Sequence, residues 1–147
     1  FIKRFGYKLK TTGKNTEALE QLKMAARIQP TSDHIFYTLG LLYAEMGDGK
    51  NAEAAFRQTV TLNPVHIRAL YNFGLLLSQN GRNNEAEKLF LQALKTEPTN
   101  GDVLFALTIL YVQDKQFDKA IEKGRILNQY HGNNPAYTQL LQNLKLQ

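Results

Sequence analysis

The sequence has 147 residues, a length that suits one compact domain or a short array of repeats. Hydrophobic residues make up 43% of it and charged residues 21%, close to the averages of globular proteins, which excludes disorder as the main state. The net charge of +5 is concentrated at the start, where five basic residues, the last of them Lys14, precede the first acidic residue, Glu17. The rest of the chain is formally neutral. Such a basic block either attracts anionic partners or forms a solvated helix face.

The chain contains no cysteine, which excludes disulfides, thiolate zinc sites and a cysteine nucleophile within it. Its longest apolar run, Val103–Val112, is shorter than the roughly 20 residues needed to cross a bilayer. There is no signal-peptide pattern, and the first residue, Phe1, lies inside a repeat. We therefore expect a soluble piece of a longer protein that does not insert into membranes, and its compartment is left open.

Several residue types recur with a period of 34. The prolines Pro30, Pro64 and Pro98 show it most clearly. The same period links Ala18, Ala52, Ala86 and Ala120; Gly6, Gly40 and Gly74; Gly13, Gly47 and Gly81; and Tyr37, Tyr71 and Phe105. A fixed period of this length indicates a repeat protein whose stacked units build a continuous core.

In chain order, the repeats are expected at about 1–32, 33–66, 67–100 and 101–134, followed by a capping helix at 135–147, all within a single domain over 1–147. Each complete repeat is predicted to contain two helices. In the second repeat, Asp33 is expected to cap the first helix, Gly47 to end it and Pro64 to end the second helix. Small residues such as Gly40 let the paired helices approach, and Phe56 fills the space between units.

The fourth repeat departs from the earlier ones. Thr108 stands where they have glycine, and Gly124 stands where they have phenylalanine, so looser packing is expected there. The helix predicted after Pro135 has a polar outer side, which suits a terminal cap. Its outer residues are Gln139, Gln142, Asn143 and Lys145.

These repeats resemble the tetratricopeptide signature W-x2-L-G-x2-Y…A-x3-F…P. The second repeat matches it with Phe36, Leu39, Gly40, Tyr43, Ala52, Phe56 and Pro64. The third repeat matches it with Leu70, Phe73, Gly74, Leu77, Ala86, Phe90 and Pro98. The resemblance implies an all-α fold, a right-handed superhelical solenoid of antiparallel helix pairs with about four repeats and a C-terminal capping helix.

Tetratricopeptide arrays bind partners in a concave groove lined by the first helix of each repeat. The groove residues that this implies are Lys3, Tyr7, His34, Tyr37, Thr38, Leu41, Arg68, Tyr71, Asn72, Leu75, Phe105 and Ile109. They include two apolar stripes, one of Tyr37, Tyr71 and Phe105 and one of Leu41, Leu75 and Ile109. Such a strip with a basic end is typical of a surface for a protein or peptide segment that is acidic at one end. In the alternative reading, these side chains pack on one another.

Some members of the family, the co-chaperones of heat-shock proteins, hold a C-terminal carboxylate with a clamp of Lys, Asn, Asn, Lys and Arg. Of the corresponding positions in the first three repeats, only Lys3 and Arg68 fit. In the last three repeats only Asn72 fits, and Asp102 would repel a carboxylate. The clamp is therefore not expected.

The sequence shows no pattern for catalysis. The histidines His34, His66 and His131 have no second ligand at metal spacing and are expected to be surface residues. No glycine-rich phosphate loop and no Ser-His-Asp arrangement is indicated. The prediction is a scaffold for protein–protein interaction, not an enzyme, with no cofactor or metal and with its oligomeric state open.

Two other functions compete with this prediction. One is a structural spacer that docks on another domain of the same longer protein. The other is a binder of single-stranded nucleic acid, which would use the basic and aromatic residues of 1–14. Nucleic acid is not the expected partner, because the remaining repeats are formally neutral.

Overall fold

The computed structural model describes residues 13–146, and these form eight α-helices and no strands. The helices are α1 (Gly13–Ile28), α2 (Asp33–Glu45), α3 (Gly49–Leu62), α4 (Ile67–Gln79), α5 (Asn83–Thr96), α6 (Gly101–Gln113), α7 (Phe117–His131) and α8 (Pro135–Asn143). Helices α2, α4, α6 and α8 each begin 34 residues after the one before. The predicted all-α fold of repeated helix pairs is thereby confirmed.

The turns after α2, α4, α6 and α8 have the same backbone geometry. An amide donates to a carbonyl five residues earlier, from Asp48 to Tyr43, from Arg82 to Leu77, from Gln116 to Tyr111 and from Leu146 to Leu141, at 2.8–2.9 Å. The residue before each donor has a positive φ, as at Gly47 and Gly81. Glycine adopts this conformation without steric cost, so the predicted helix breaks lie at these residues.

The cap predicted at Asp33 is wrong by one residue. Ser32 has an extended backbone, and its Oγ accepts a hydrogen bond from the Ile35 amide at 3.3 Å. Both residue types are good caps, and the backbone geometry decides between them. Asp33 instead accepts a hydrogen bond from Asn63 Nδ2 at 2.8 Å, which is the main reason that the pKa of Asp33 is lowered.

The described helices belong to two compact units, one up to Leu76 and one from Leu77. The first unit contains α1, α2, α3 and most of α4. Its core is the fully buried Phe56, whose ring centroid lies 6.1 Å from that of Tyr37 on α2 and 6.5 Å from that of Phe73 on α4. Three helices of this unit therefore pack around one phenylalanine.

The second unit contains α5, α6, α7 and α8. Leu104 on α6, Leu127 on α7 and Leu141 on α8 are fully buried and pack together with Tyr137. The polar residues predicted for the outer side of the capping helix are all exposed. The helix itself is shorter than predicted and ends at Asn143, because the chain then turns with Lys145 at φ 58°.

The expectation of looser packing in the fourth repeat is wrong. Thr108 is fully buried, and its hydroxyl donates to the Leu104 carbonyl at 2.7 Å, which satisfies the polar group. The space at Gly124 is filled by the C-terminal turn: a Cβ built there would lie 2.8 Å from Leu146 Cδ1 and 3.2 Å from Leu144 Cδ1. Leu144 and Leu146, from the end of the chain, thus fill the space beside Gly124 that a phenylalanine side chain would otherwise fill.

Candidate peptide-binding surface

The residues predicted to line a groove differ in their exposure. Lys3 and Tyr7 lie outside the described residues. On α2, His34 is exposed, Thr38 and Leu41 are half-buried and Tyr37 is buried. Thr38 Oγ1 donates to the His34 carbonyl one turn earlier at 2.9 Å. The Thr38 hydroxyl proton is therefore used within its own helix.

Tyr37 and Asn72 form a buried polar contact between α2 and α4. Each is only 9% exposed, and Asn72 Nδ2 donates to the Tyr37 hydroxyl at 3.0 Å. Burial raises the pKa of Tyr37, although the hydrogen bond from Asn72 and the charge of Arg68 oppose the shift. These two side chains connect the helices and present little surface to a partner.

The ring of Tyr37 also stacks near His66, with 4.6 Å between centroids. His66 is half-buried at the start of α4, where its Nδ1 accepts a hydrogen bond from the Ala69 amide at 3.1 Å. In its neutral form His66 therefore carries its proton on Nε2. The sequence prediction of a plain surface residue missed this role at the beginning of the helix.

The remaining predicted residues of the first unit lie on α4. Arg68 is exposed, and Tyr71 and Leu75 are half-buried. The neighbouring Leu70 and Phe73 are at most 2% exposed. One side of α4 therefore packs into the core of the first unit, and the apolar side chains of Tyr71 and Leu75 on this helix remain partly exposed. Leu41 on α2 is partly exposed in the same way.

The second unit has an apolar patch at the corresponding positions of α6. Phe105 and Ile109 are half-buried, whereas Leu104 and Leu107 beside them are fully buried. The ring of Phe105 lies 4.9 Å, centroid to centroid, from that of Tyr137 on α8. Phe105 is therefore covered on one side by Tyr137, a buried core residue of the capping helix that lies outside the 34-residue ladder.

Beside this aromatic pair lies a polar surface cavity of about 560 Å³ that is wide open to solvent. Its walls include the carboxylates of Glu97 and Asp102, the Thr99 backbone and the ring of His131. Sequence reasoning placed Asp102 on the groove side only as an obstacle to carboxylate binding and did not foresee a cavity. The sequence did signal the change of charge, because Arg68 and Asp102 occupy the same repeat position in the third and fourth repeats.

The described residues include no group of three or more His, Cys, Asp or Glu side chains that could hold a metal ion. Of the three histidines, His34 is exposed, and His66 and His131 are half-buried. His131 Nε2 lies 2.6 Å from the Thr99 carbonyl and must donate to it, since a carbonyl only accepts. No helix in the described range has both the length and the apolar character needed to span a membrane.

Repeated helix pairs with partly exposed apolar side chains on their first helices are typical of a protein-interaction scaffold. Tetratricopeptide repeat models match residues 6–47, 33–66 and 77–144. The chain therefore belongs to the tetratricopeptide repeat family, and the resemblance seen in its sequence is confirmed.

Solved structures of other tetratricopeptide proteins share this fold. MamA 41-end from Desulfovibrio magneticus RS-1 is 25% identical, with a TM-score of 0.79 over 91% of this chain and 76% of that one. A MamA RS-1 ArsTM double mutant is also 25% identical, with a TM-score of 0.81 over 91% and 75%. YrrB, described as a TPR protein with an unusual peptide-binding site, is 22% identical, with a TM-score of 0.72 over 82% and 62%. No curated protein matches the chain.

Proposed function

We propose that this chain binds a peptide segment of a partner protein through the partly exposed apolar side chains of its first helices, by recognition rather than catalysis. One observation carries the proposal. Leu41, Leu75 and Ile109 occupy the same position in successive repeats, and each is only half-buried although it adjoins a closed core. A large aliphatic side chain that recurs at a position the core does not enclose favours a binding surface.

Aromatic side chains add to this surface in both units. Tyr71 lies on α4 and Phe105 on α6, and both are half-buried. Aromatic residues of this kind dominate the binding free energy of many interfaces, because they bury a large area with few rotatable bonds. Tyr37 and Asn72 support the first-unit surface from below, since their hydrogen bond fixes α2 against α4.

The charge of the first unit favours a partner that carries an acidic residue. The Arg68 side chain is exposed at the start of α4, a helix that holds part of the apolar patch. The similarity of fold to YrrB, a tetratricopeptide protein described as having a peptide-binding site, is consistent with the same class of ligand. For a single short segment we expect a dissociation constant on the order of micromolar.

A displayed library of random peptides provides the test. Peptides selected on the unaltered chain are titrated by fluorescence anisotropy against Tyr71→Ala combined with Leu75→Ala. We expect at least about a tenfold loss of affinity, which corresponds to about 1.4 kcal/mol. The matched control is Tyr130→Ala combined with Ile28→Ala, since both residues are highly exposed and lie outside the first helices.

Circular dichroism and urea unfolding establish that each double variant is folded before binding is compared. The proposal fails if no peptide is enriched on the unaltered chain. It also fails if the Tyr71 and Leu75 variant binds the selected peptides as tightly as the control does.

A further inference from the structure

The cavity in the second unit is built from four segments of the chain. The end of α5 supplies Glu97, the start of α6 supplies Asp102, the end of α7 supplies His131 and α8 supplies Tyr137. Gly101 permits the close approach of α6 to the Tyr137 side chain, because a Cβ at that position would lie 2.9 Å from the Tyr137 hydroxyl oxygen. Tyr137 is 6% exposed, so its hydroxyl reaches the cavity from an otherwise buried ring.

Both carboxylates of the cavity are oriented by neutral donors. Asn100 Nδ2 donates to Glu97 Oε1 at 2.9 Å, and the Tyr137 hydroxyl donates to Asp102 Oδ1 at 3.3 Å. Among residues 13–146, no Lys or Arg side chain forms an ion pair with either carboxylate. Two negative charges therefore face one cavity without a cation to balance them.

The other groups of the cavity favour a cation over an anion. The Nε2 proton of His131 is already donated to the Thr99 carbonyl. The Tyr137 hydroxyl proton is directed at Asp102, so its oxygen retains acceptor capacity. Burial is the main cause of the raised pKa of Tyr137, and the charge of Asp102 adds to it. The neutral hydroxyl is thus held beside a carboxylate.

We propose that this cavity receives a cationic side chain, Lys or Arg, of the bound partner segment, with Glu97 and Asp102 as its counter-charges. The assignment rests on the function proposed above, because it names a feature of the same partner.

This assignment changes the expected character of the partner. The repeat position that holds the basic Arg68 in the third repeat holds the acidic Asp102 in the fourth. A partner segment chosen by charge would therefore carry an acidic residue for the first unit and a basic residue for the second. Complementary charges contribute to specificity, because a segment whose charges have the wrong sign would place like charges next to each other in the complex.

Blocked single amino acids test the cavity without the apolar surface. The probes are the N-acetyl methylamides of arginine, lysine, norleucine and glutamate, titrated at low salt while backbone amide resonances are followed by NMR. We expect the arginine and lysine probes to shift the amides of Gly101, Asp102 and Asn134, with dissociation constants on the order of millimolar. Comparison of these two probes shows which basic side chain the cavity prefers.

The variant for this experiment is Glu97→Gln combined with Asp102→Asn, which removes both charges at nearly constant shape. Its control is Asp118→Asn combined with Glu122→Gln, two exposed acids of the same unit whose replacement changes the net charge equally. We expect the cavity variant to weaken binding of the basic probes at least about tenfold and the control to change it less than about twofold.

Equal shifts by norleucine or glutamate, no shift by any probe, or equal effects of the two variants would each overturn the assignment. Because these probes lack an apolar segment, such a result leaves the peptide selection on the Tyr71 and Leu75 surface unaffected. Conversely, a failed peptide selection together with specific basic-probe binding would overturn the proposed peptide surface and retain the cation cavity.

Discussion

Gly40 on α2 lies directly against the ring of Phe56 on α3. A Cβ built at Gly40 would be 2.5 Å from both Cδ1 and Cε1 of that ring, closer than real Cβ atoms approach a neighbour. The ring has no freedom to retreat, because Phe56 is fully buried and packs near Tyr37 and Phe73. The glycine therefore sets the distance between the two helices of this repeat.

From this contact we predict that Gly40→Ala destabilises the protein by about 1–3 kcal/mol through overpacking. The control is Gly13→Ala on α1, where nothing lies within 4 Å of a new Cβ, and for which we expect a change within about 0.5 kcal/mol. Urea unfolding followed by circular dichroism measures both. Similar unfolding midpoints for the two variants would contradict the packing argument.

The contact between Gly124 and Leu146 predicts a coupled pair of substitutions. Gly124→Ala alone gains helix propensity but collides with Leu146 Cδ1 at 2.8 Å, so its net effect should be small. In a Leu146→Ala background the closest collision is removed and only the 3.2 Å approach to Leu144 Cδ1 remains, so the same change should be more favourable there by about 0.5–1 kcal/mol. A double-mutant cycle of unfolding free energies measures the coupling, and strict additivity would count against it.

The buried contact of Tyr37 with Asn72 predicts that Tyr37→Phe destabilises by about 1–3 kcal/mol, because the Asn72 amide loses its acceptor. Adding Asn72→Ala should cost less than it does in the unaltered chain, since the donor left without a partner is removed as well. Tyr130→Phe, at a residue 56% exposed, serves as the control. Urea unfolding of all variants decides, and an effect of Tyr37→Phe no larger than the control would disprove the contribution.

Tyr111 predicts a loss of stability in alkali. Burial, and then its hydrogen bond to Glu87 at 2.6 Å, raise the pKa of Tyr111 in the folded state. The unfolded state deprotonates first, at about pH 10, so the folded state binds more protons above that pH. The stabilisation is therefore complete below about pH 10 and is lost as pH rises towards the folded pKa.

We expect the unfolding free energy to fall between about pH 9 and pH 11, and to fall less steeply in Tyr111→Phe. Urea unfolding at several pH values, with tyrosinate absorbance recorded in parallel, provides the measurement. Tyr130→Phe is the matched control, the same exchange of residue types at a side chain that is 56% exposed. Parallel stability curves for Tyr111→Phe and the unaltered chain would show that Tyr111 does not carry this dependence.

The sequence by itself determined the repeat period, the helix pairs and most of the turns. Side-chain size and backbone preference at single positions, such as Gly40, Gly47 and Pro64, are enough to predict these features. Such residues affect the backbone near them in sequence, and they recur at a fixed spacing. The same reasoning found Leu41, Leu75 and Ile109 as large side chains at one repeat position. It could not assign their exposure, which depends on how far neighbouring helices cover them.

Only the tertiary structure decided which polar groups meet. Tyr37 and Asn72 are 35 residues apart, as are Asp102 and Tyr137, and each pair is joined only because two first helices lie side by side. The filling of the space at Gly124 by Leu146 likewise depends on where the chain turns after α8. Such contacts depend on distances between packed helices, and no local pattern of residues encodes those distances.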